Sequence, residues 1–384
     1  MKDRNDDCDL IFVDRGWQRD PLDISDRIYV PPADWVVDSN GRREMYIPPA
    51  GWIPDPIDTR DCIYVPPTSV PDHTPTVSDI LTISTAFAAT TISTASATPT
   101  ASAPPIFPRP ASGVPESVDL RDGTDYCQPI FRQYPLGSCV ANAIASAFIF
   151  TLKKEIARKK AIVRKKEIED KLYKPIHDPQ TDPFDPSRLF IWYHAREMFG
   201  LNRVKENRGC HLRDGLKSAF NVGVCPEEDL PYATHGDYDK VTRIFVENAP
   251  AATKPSDAAY AHALQHQVVR YERIRRNLNH LRSCLAEGFP FVFGFSLFES
   301  NRKKIHQGVV EMPRPREGRV SGHAVMAVGY DNAAKHFIIQ NSWGANWNTN
   351  GYFTMPYKYI DRATATDDFW MVRLVNNYVQ KPQS

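Results

Sequence analysis

The sequence has almost no net charge, because 47 lysines and arginines are balanced by 46 aspartates and glutamates, for a formal net charge of +1. Without a strong field of one sign, nothing in the composition favours nucleic acid or a membrane surface as a partner. The seven cysteines are an odd number, with no close pairs and no Cys-x-x-Cys spacing. This pattern argues against a disulfide scaffold and a structural zinc site, and we expect neither a metal nor another cofactor.

Signals for secretion are also missing. Residues 1–7 are too acidic and polar for a signal peptide, and the chain contains no Asn-x-Ser/Thr site. Residues 80–108 carry no charge, but serine, threonine, alanine and proline dominate them. This composition favours a linker over a membrane-spanning segment.

The first 67 residues contain three short repeats of one pattern. Each unit holds a tryptophan and, further on, a tyrosine that is followed by valine or isoleucine and then by two prolines. Adjacent prolines enforce an extended or polyproline conformation, which excludes helices, and each unit is too short for a core of its own. Two interpretations stay open: a flexible arm with aromatic anchors, or an arm that docks on the rest of the chain or on a partner. The aromatic positions are Trp17, Trp35, Trp52, Tyr29, Tyr46 and Tyr64.

A low-complexity stretch follows the repeats. Residues 68–113 consist mainly of proline, serine, threonine and alanine, which bury too little apolar surface to order. The composition changes sharply at Val114. The sequence therefore predicts a repeat arm over 1–67, a disordered linker over 68–113, a folded domain over 114–376 and a short tail over 377–384.

Within the folded domain, helical patterns come first and strand patterns later, which favours an α+β fold in two lobes. Residues 139–152 are small and apolar on every side and predict a buried helix. Lysine and arginine dominate its continuation, residues 153–174, where a solvated helix is favoured over nucleic-acid binding because aromatic stacking residues are nearly absent. Further helices are predicted over 188–198, 212–222 and 271–287, and strands over 289–296, 324–330, 336–340 and 351–355.

One cysteine stands where the buried helix is predicted to begin. A cysteine attacks as its thiolate, and the positive end of a helix dipole favours that form of Cys139. The preceding Gly137 and Ser138 are small, so a substrate backbone could come close to the thiol. Cys139 is therefore the candidate nucleophile, with Gly137 and Ser138 as candidate substrate-binding residues.

A histidine and an asparagine are predicted to meet at one end of a hairpin. If the turn between the two strands centres near Ala333, residue 323 lies opposite residue 343, and His323 and Asn341 emerge at the same end. The asparagine carbonyl can then accept a hydrogen bond from the ring and leave the other ring nitrogen for the thiol. Trp343 could cover this contact, bind substrate and exclude water.

These motifs resemble those of the papain-like, cathepsin-type cysteine peptidases, over about residues 114–376. Cys139 matches the nucleophile of that family, His323 its base and Asn341 the residue that orients the base. Gln133, six residues before Cys139, matches the glutamine of the oxyanion hole. The resemblance implies a papain-like two-lobe fold, in which a helical lobe carries the cysteine and an antiparallel-sheet lobe carries the histidine and the asparagine.

Further segments support and refine the resemblance. Residues 341–353 are similar to the family's Asn-Ser-Trp-Gly block, and the Leu-Gly-Ser-Cys form around the nucleophile resembles bacterial and viral members more than animal cathepsins. In those members an element similar to residues 51–61 precedes the catalytic domain. Because no signal peptide is seen, we expect a cytoplasmic, virion-associated or host-associated protein rather than a conventionally secreted one.

The sequence also departs from the family pattern. Val140 replaces the aromatic residue after the nucleophile, and Leu136 replaces a cysteine, so the usual disulfide of that lobe cannot form, whatever Cys210 does. Residues 211–214 replace an expected Gly-Gly, which puts in doubt how the substrate backbone is held. Asn348 replaces a glycine and tolerates a left-handed backbone.

The resemblance implies a cysteine-type endopeptidase that cleaves polypeptide substrates without a metal or cofactor. The repeats of residues 1–67 suggest a regulatory arm, such as the propeptide of a zymogen, that contacts the peptidase domain of its own chain. The alternative is a catalytically weak binding protein with a papain fold, whose repeats recruit a partner.

Overall fold

The computed structural model describes the folded domain and two short pieces near the start of the chain. The chain divides into two compact units, residues 1–63 with 114–384 and residues 64–113. The second unit lies wholly outside the described residues, as do most of the repeat arm and the predicted C-terminal tail. The described residues are 17–18, 28–29, 114–169, 183–198, 200–232 and 237–375.

The helices predicted near the start of the domain are present with nearly the predicted bounds. The second of them begins after Ser187, whose side chain caps it by accepting the backbone N–H of Phe190 at 3.2 Å. The helices of the described residues are α1 Cys139–Glu169, α2 Arg188–Glu197, α3 Leu212–Asn221, α4 Asp257–Ala263, α5 Leu278–Ala286, α6 Glu299–Lys304 and α7 Tyr357–Asp361, with 3-10 turns at Leu201–Lys205, Pro250–Ala252 and Ile305–Gln307.

The strands of the described residues are β1 Trp17–Gln18, β2 Ile28–Tyr29, β3 Ser117–Asp119, β4 Cys210–His211, β5 Val268–Ile274, β6 Phe291–Phe298, β7 Arg319–Asp331, β8 His336–Gln340, β9 Tyr352–Pro356 and β10 Thr366–Val375. Eight of them form one sheet in the order β2-β5-β10-β6-β7-β8-β9, with β3 also paired to β7. From β5 to β9 every neighbouring pair is antiparallel. Helices α1 to α3 and this sheet make the two parts of the predicted α+β architecture.

One predicted helix is partly wrong. The sequence pattern predicts a single helix over 271–287, but residues 271–274 belong to β5 and the helix starts only at Leu278. Asn277 marks the boundary, because its side chain accepts the backbone N–H groups of the first helical turn. β5 pairs along its length with β10, a strand that the sequence does not predict. Pairing with β10 therefore makes residues 271–274 a strand, although a helix follows them in the sequence.

Helix α1 lies between helices α2 and α3 and the sheet. It packs against α2 and α3 on one side and against β7 and β10 on the other. Every residue from 139 to 152 is buried, as the small apolar side chains predict. The hydroxyl of Thr151 bonds across to the carbonyl of Val372 in β10 at 3.0 Å. This bond ties the middle of α1 to the sheet.

Strands β7 and β8 form the predicted hairpin. Met326 pairs with Gln340 and Ala327 with Ile339, which is the register of a turn centred on residue 333. A bulge after Ala327 changes the register only on the side of the turn. Residues 323 and 341 consequently lie at the same end of the hairpin.

Two short pieces of the N-terminal arm pair with the domain. β1 runs parallel to β4, with Trp17 opposite Cys210 and Gln18 opposite His211. β1 also lies beside β6 and β7. β2 runs parallel to β5 at the edge of the large sheet. Both pieces of the arm therefore add strands to the folded domain by backbone hydrogen bonding.

Candidate active site

Cys139 is the first residue of α1. The carbonyl of Ser138 accepts the backbone N–H of Asn142 at 3.0 Å, so the hydrogen bonding of the helix starts directly before the cysteine. No acidic residue lies in the first turn, so no carboxylate there offsets the partial positive charge of the helix N-terminus. This charge favours the thiolate over the thiol.

His323 and Asn341 make the contact that the hairpin predicts. Nε2 of the imidazole lies 2.8 Å from Oδ1 of the asparagine. The backbone N–H of Ser342 donates to the same oxygen, also at 2.8 Å, which identifies that atom as the acceptor. Nε2 must therefore carry a hydrogen, and in the neutral ring Nδ1 is the nitrogen that can accept a proton.

An aromatic stack covers the His323–Asn341 hydrogen bond. The ring of Trp343 stacks on His323 with centroids 5.1 Å apart, and His306 also stacks on this indole, at 5.6 Å. Trp347 stands edge-on to Trp343 and donates its indole N–H to Nδ1 of His306 at 3.1 Å. Trp343 is only 6% exposed, so these rings limit the access of water to the hydrogen bond.

The sequence argument does not single out His306, because it lies in the short 3-10 turn Ile305–Gln307, which has no periodic pattern.

The environment of His323 disfavours its charged form. Burial lowers the pKa of His323 to about 4, and the hydrogen bond to Asn341 opposes this effect only in part. An anion close to the ring would favour the imidazolium again. A cysteine thiolate is such an anion, so a thiolate and a protonated His323 would stabilise each other as a coupled pair.

Gln133 is tied to the end of the hairpin through Ser342. The Ser342 hydroxyl donates to Oε1 of Gln133 at 2.7 Å, and the backbone N–H of Gln133 donates to the Ser342 carbonyl at 2.8 Å. One hydrogen on Nε2 of Gln133 is donated to the carbonyl of Leu136 at 3.2 Å, and an amide group carries a second one. Ser342, which the sequence argument did not single out, thus connects Gln133 to its own neighbour Asn341.

The segment before Cys139 pairs with the segment after Asn341. The backbone N–H of Gly344 donates to the carbonyl of Phe131 at 2.9 Å, and Arg132 forms an antiparallel bridge with Trp343. These contacts bring the loop that leads into α1 next to the end of the hairpin. No sequence signal reveals them, because the paired residues are about 200 positions apart, 209 for Gln133 and Ser342.

Polar side chains hold the loop directly before Cys139. The backbone N–H of Gly137 donates to Oδ1 of Asn207 at 2.8 Å, and the hydroxyl of Ser138 lies 2.5 Å from that of Tyr232. Gly137 and Ser138 are both buried. Their contact with substrate stays a prediction. Leu136 stands where the family has a cysteine, and five described cysteines lie outside any disulfide: Cys127, Cys139, Cys210, Cys225 and Cys284.

The other departures from the family pattern are also visible. Val140 is fully buried, and Cys210, at the start of β4, is buried and outside any disulfide. The strand β4 is where β1 of the arm adds its backbone, so this part of the surface does bind an extended chain. Asn348 has a φ of 44°, the left-handed conformation expected where it replaces glycine.

Across the described part of residues 114–375 and in the two short arm strands, no three histidine, cysteine, aspartate or glutamate side chains come together in a group that could hold a metal ion. None of the helices there has both the length and the apolar composition needed to cross a bilayer.

Comparisons with known sequences give one consistent family. Residues 202–367 match the family model described as Papain family cysteine protease. An uncharacterized peptidase C1-like protein of Acanthamoeba polyphaga mimivirus is 36% identical over 261 residues, which are 64% of this chain and 71% of the relative. The oryzain gamma chain of Oryza sativa subsp. japonica is 57% identical over 35 residues, 9% of this chain and 10% of the relative.

A comparison with solved structures agrees. Xylellain, a cysteine protease from Xylella fastidiosa, is 38% identical in sequence and superimposes with a TM-score of 0.56. The match covers 68% of this chain and 86% of that chain.

Proposed function

The chain belongs to the papain family of cysteine peptidases, and from this premise we propose that Cys139 is its nucleophile, His323 its base and Asn341 the residue that orients the base. The observation that carries the proposal is the 2.8 Å hydrogen bond from Nε2 of His323 to Oδ1 of Asn341. It leaves Nδ1 as the proton acceptor in the neutral ring. The α+β fold in two lobes is the one expected for this family.

The proposed reaction is peptide-bond hydrolysis by acyl transfer. His323 accepts the proton of the Cys139 thiol at Nδ1, and the thiolate attacks the carbonyl carbon of the scissile bond. The negative charge that develops on the carbonyl oxygen is held by the backbone N–H of Cys139 and the second N–H of Gln133 Nε2. Hydrogen bonds of this kind accelerate the step because they strengthen as the charge forms.

The acyl-enzyme then breaks down with the same groups. The imidazolium of His323 gives its proton to the leaving amine, so the peptide bond breaks and a thioester to Cys139 remains. The neutral ring next removes a proton from water, which attacks the thioester, and the thiol is restored as the carboxylic acid leaves. Every proton in this cycle is transferred by His323, which is why Asn341 has to hold the ring in one tautomer.

The decisive experiment uses a fluorogenic peptide and the variant Cys139→Ala. We expect loss of hydrolysis together with loss of stoichiometric alkylation at mildly acidic to neutral pH. Cys225→Ala, which removes another buried free thiol, is the matched control and should keep both. Peptidase activity that survives in Cys139→Ala would remove the cysteine from the mechanism.

We further propose that residues 1–113 regulate the site, with the repeat arm over 1–67, a linker over 68–113, the peptidase domain over 114–376 and a tail over 377–384. Support comes from β1, which pairs with β4 and also lies beside β6 and β7, the strand that carries His323. A polypeptide substrate binds in the same extended form, so β1 would compete with it. Because the units end in Pro-Pro, such an arm resists cleavage while it occupies the cleft.

A further inference from the structure

Tyr232 lies next to the loop that joins the proposed oxyanion residue to the proposed nucleophile. Its side chain is buried, and its hydroxyl contacts both ends of this loop. The oxygen lies 2.6 Å from the backbone carbonyl of Gln133 and 2.5 Å from the hydroxyl of Ser138. One phenol therefore connects the residue before Cys139 to the backbone of Gln133.

The direction of each hydrogen bond follows from the chemistry of the partners. A carbonyl can only accept, so the Tyr232 hydroxyl donates its single hydrogen to Gln133. The Ser138 hydroxyl must then donate to Tyr232, because the phenol has no second hydrogen. The amide nitrogen of Asn142 donates to the Ser138 oxygen at 3.0 Å. The result is a one-way chain from Asn142 through Ser138 and Tyr232 to the carbonyl of Gln133.

A charged pair holds two members of this chain, Asn142 and Tyr232. The guanidinium of Arg188 lies over the Tyr232 ring at 3.9 Å and contacts Oδ1 of Asn142 at 3.4 Å. Arg188 is also paired with Glu227 at 2.5 Å, and Glu227 accepts the backbone N–H of Tyr232 at 3.0 Å. The ring and the amide are therefore both held by the same ion pair.

The phenol keeps its hydrogen under ordinary conditions. Burial raises the pKa of Tyr232 to about 12, an effect that the hydrogen bond from Ser138 and the charge of Arg188 only partly offset. The chain of donors therefore stays intact from acidic to neutral pH.

We propose that Tyr232 is a positioning residue for the reaction, which fixes the oxyanion-binding Gln133 relative to Cys139. The inference rests on the proposed function of these two residues. The loop between them contains Leu136 and is closed by hydrogen bonds rather than by a disulfide. Catalysis by an oxyanion hole depends on donors that are already in place when the charge develops, so a loosened Gln133 slows acylation.

The test measures two rates on the full chain, in the unchanged protein and in Tyr232→Phe, which removes only the hydroxyl. Alkylation of Cys139 by iodoacetamide forms no oxyanion, whereas acylation by a peptide p-nitrophenyl ester does. Tyr330→Phe is the matched control, since it removes another buried hydroxyl that donates to a backbone carbonyl, that of Pro115 at 2.8 Å.

We expect Tyr232→Phe to lower the acylation rate by about tenfold, less than the loss of a whole oxyanion donor. The alkylation rate should change less than about twofold, because the thiolate depends on the helix and on His323. The control should change neither rate. Equal losses of both rates in Tyr232→Phe indicate a purely structural role and would overturn the inference, and so would no change at all.

A second variant covers the case in which Tyr232→Phe does not fold. Ser138→Ala interrupts the same chain one bond earlier and should also reduce acylation selectively; equal losses of acylation and alkylation in this variant, or no loss at all, would overturn the inference. Where both single variants fold, the two losses should not add in the double variant, and full additivity would likewise overturn the inference. If Cys139 of the chain without substitutions is alkylated but never acylated, the proposed function is wrong, and the inference fails with it.

Discussion

At the scale of single residues, the chemistry depends on which atom of each side chain makes which bond. Oδ1 of Asn341 accepts two N–H groups, from His323 and from the backbone of Ser342. If the side-chain amide of Asn341 rotated by 180°, its NH2 group would face both N–H donors and the two hydrogen bonds would be lost. The orientation of the imidazole is therefore fixed by two bonds at one oxygen rather than by packing alone.

The first prediction concerns Asn341→Ala. The variant keeps the cysteine and the histidine, but the ring loses the partner that fixes its tautomer. We expect kcat/KM to fall by about tenfold to a hundredfold, within the contribution that general acid–base catalysis makes. The measurement is hydrolysis of a fluorogenic peptide.

The matched control for this prediction is Asn332→Ala, which removes an asparagine at the other end of the same hairpin. Its side chain contacts Arg282 and Tyr357 and lies far along the strands from His323. It should leave kcat/KM unchanged at a temperature where both variants are folded. A variant Asn341→Ala with full activity would contradict the orienting role.

Motif residues and their supporting residues differ in how well the sequence predicts them. Cys139, His323 and Asn341 stand in recognisable local patterns, so a one-dimensional argument can propose them as site residues. Ser342 and Tyr232 contact Gln133, which is 209 and 99 positions away in the chain. Only the folded chain brings such pairs together, and no periodicity in either segment predicts the contact.

At the scale of elements, local patterns predict structure well where an element is complete in itself. The buried helix α1 and the strand β8 start where the sequence predicts, because burial on all sides and the turn after β7 are local features. β5 and β10 stabilise each other as antiparallel partners that are about 100 residues apart. Neither strand can be predicted from its own segment of sequence alone. This explains why the sequence pattern predicts helix over residues 271–274, which form part of β5.

The second prediction tests the end of α3, where Gly223 turns the chain with a φ of 90°. A Cβ at this position would lie 1.9 Å from the carbonyl oxygen of Ala263, so the backbone has to move. We expect Gly223→Ala to lower the free energy of unfolding by more than about 3 kcal/mol, from strain and from the clash together. Urea unfolding measures this change.

Gly123→Ala separates the two causes. Gly123 also has a positive φ, 68°, but nothing lies within 4 Å of an added Cβ. This variant should cost only the backbone strain, about 1 kcal/mol. Equal losses in the two variants would mean that the contact with Ala263 contributes nothing.

At the scale of the whole molecule, buried histidines make stability depend on pH. Burial lowers the pKa of both His280 and His323 to about 4, from an ordinary value of 6.5. Between these two pH values the unfolded chain binds protons that the folded chain does not. The free energy of unfolding therefore falls as the pH drops from 6.5 towards 4, and below about 4 the loss is complete.

The third prediction isolates one of these groups. His280→Asn, on α5 and away from the proposed site, should remove up to about 3 kcal/mol of the difference in unfolding free energy between pH 7 and pH 4. Urea unfolding at the two pH values measures it. The half-buried His336→Asn serves as the control, and an unchanged pH dependence in His280→Asn would show that this histidine is protonated in the folded chain too.

The fourth prediction concerns the arm and the domain together. β1 joins β4 through backbone hydrogen bonds, and proline has no N–H to donate, so Gln18→Pro should weaken the pairing while Gln18→Ala leaves it intact. If the arm competes with substrate, kcat/KM of the full chain rises in Gln18→Pro and not in Gln18→Ala.

A tethered segment acts at an effective concentration of the order of mM, so its complete removal in residues 114–384 should raise kcat/KM by at least about tenfold. A peptide of residues 1–67 added to that fragment should inhibit it competitively, because it would fill the same surface beside β4. Identical rate constants for the full chain, Gln18→Pro and the fragment would exclude inhibition. The paired strands would then make the arm a tether that holds the repeats against the domain without blocking the cleft.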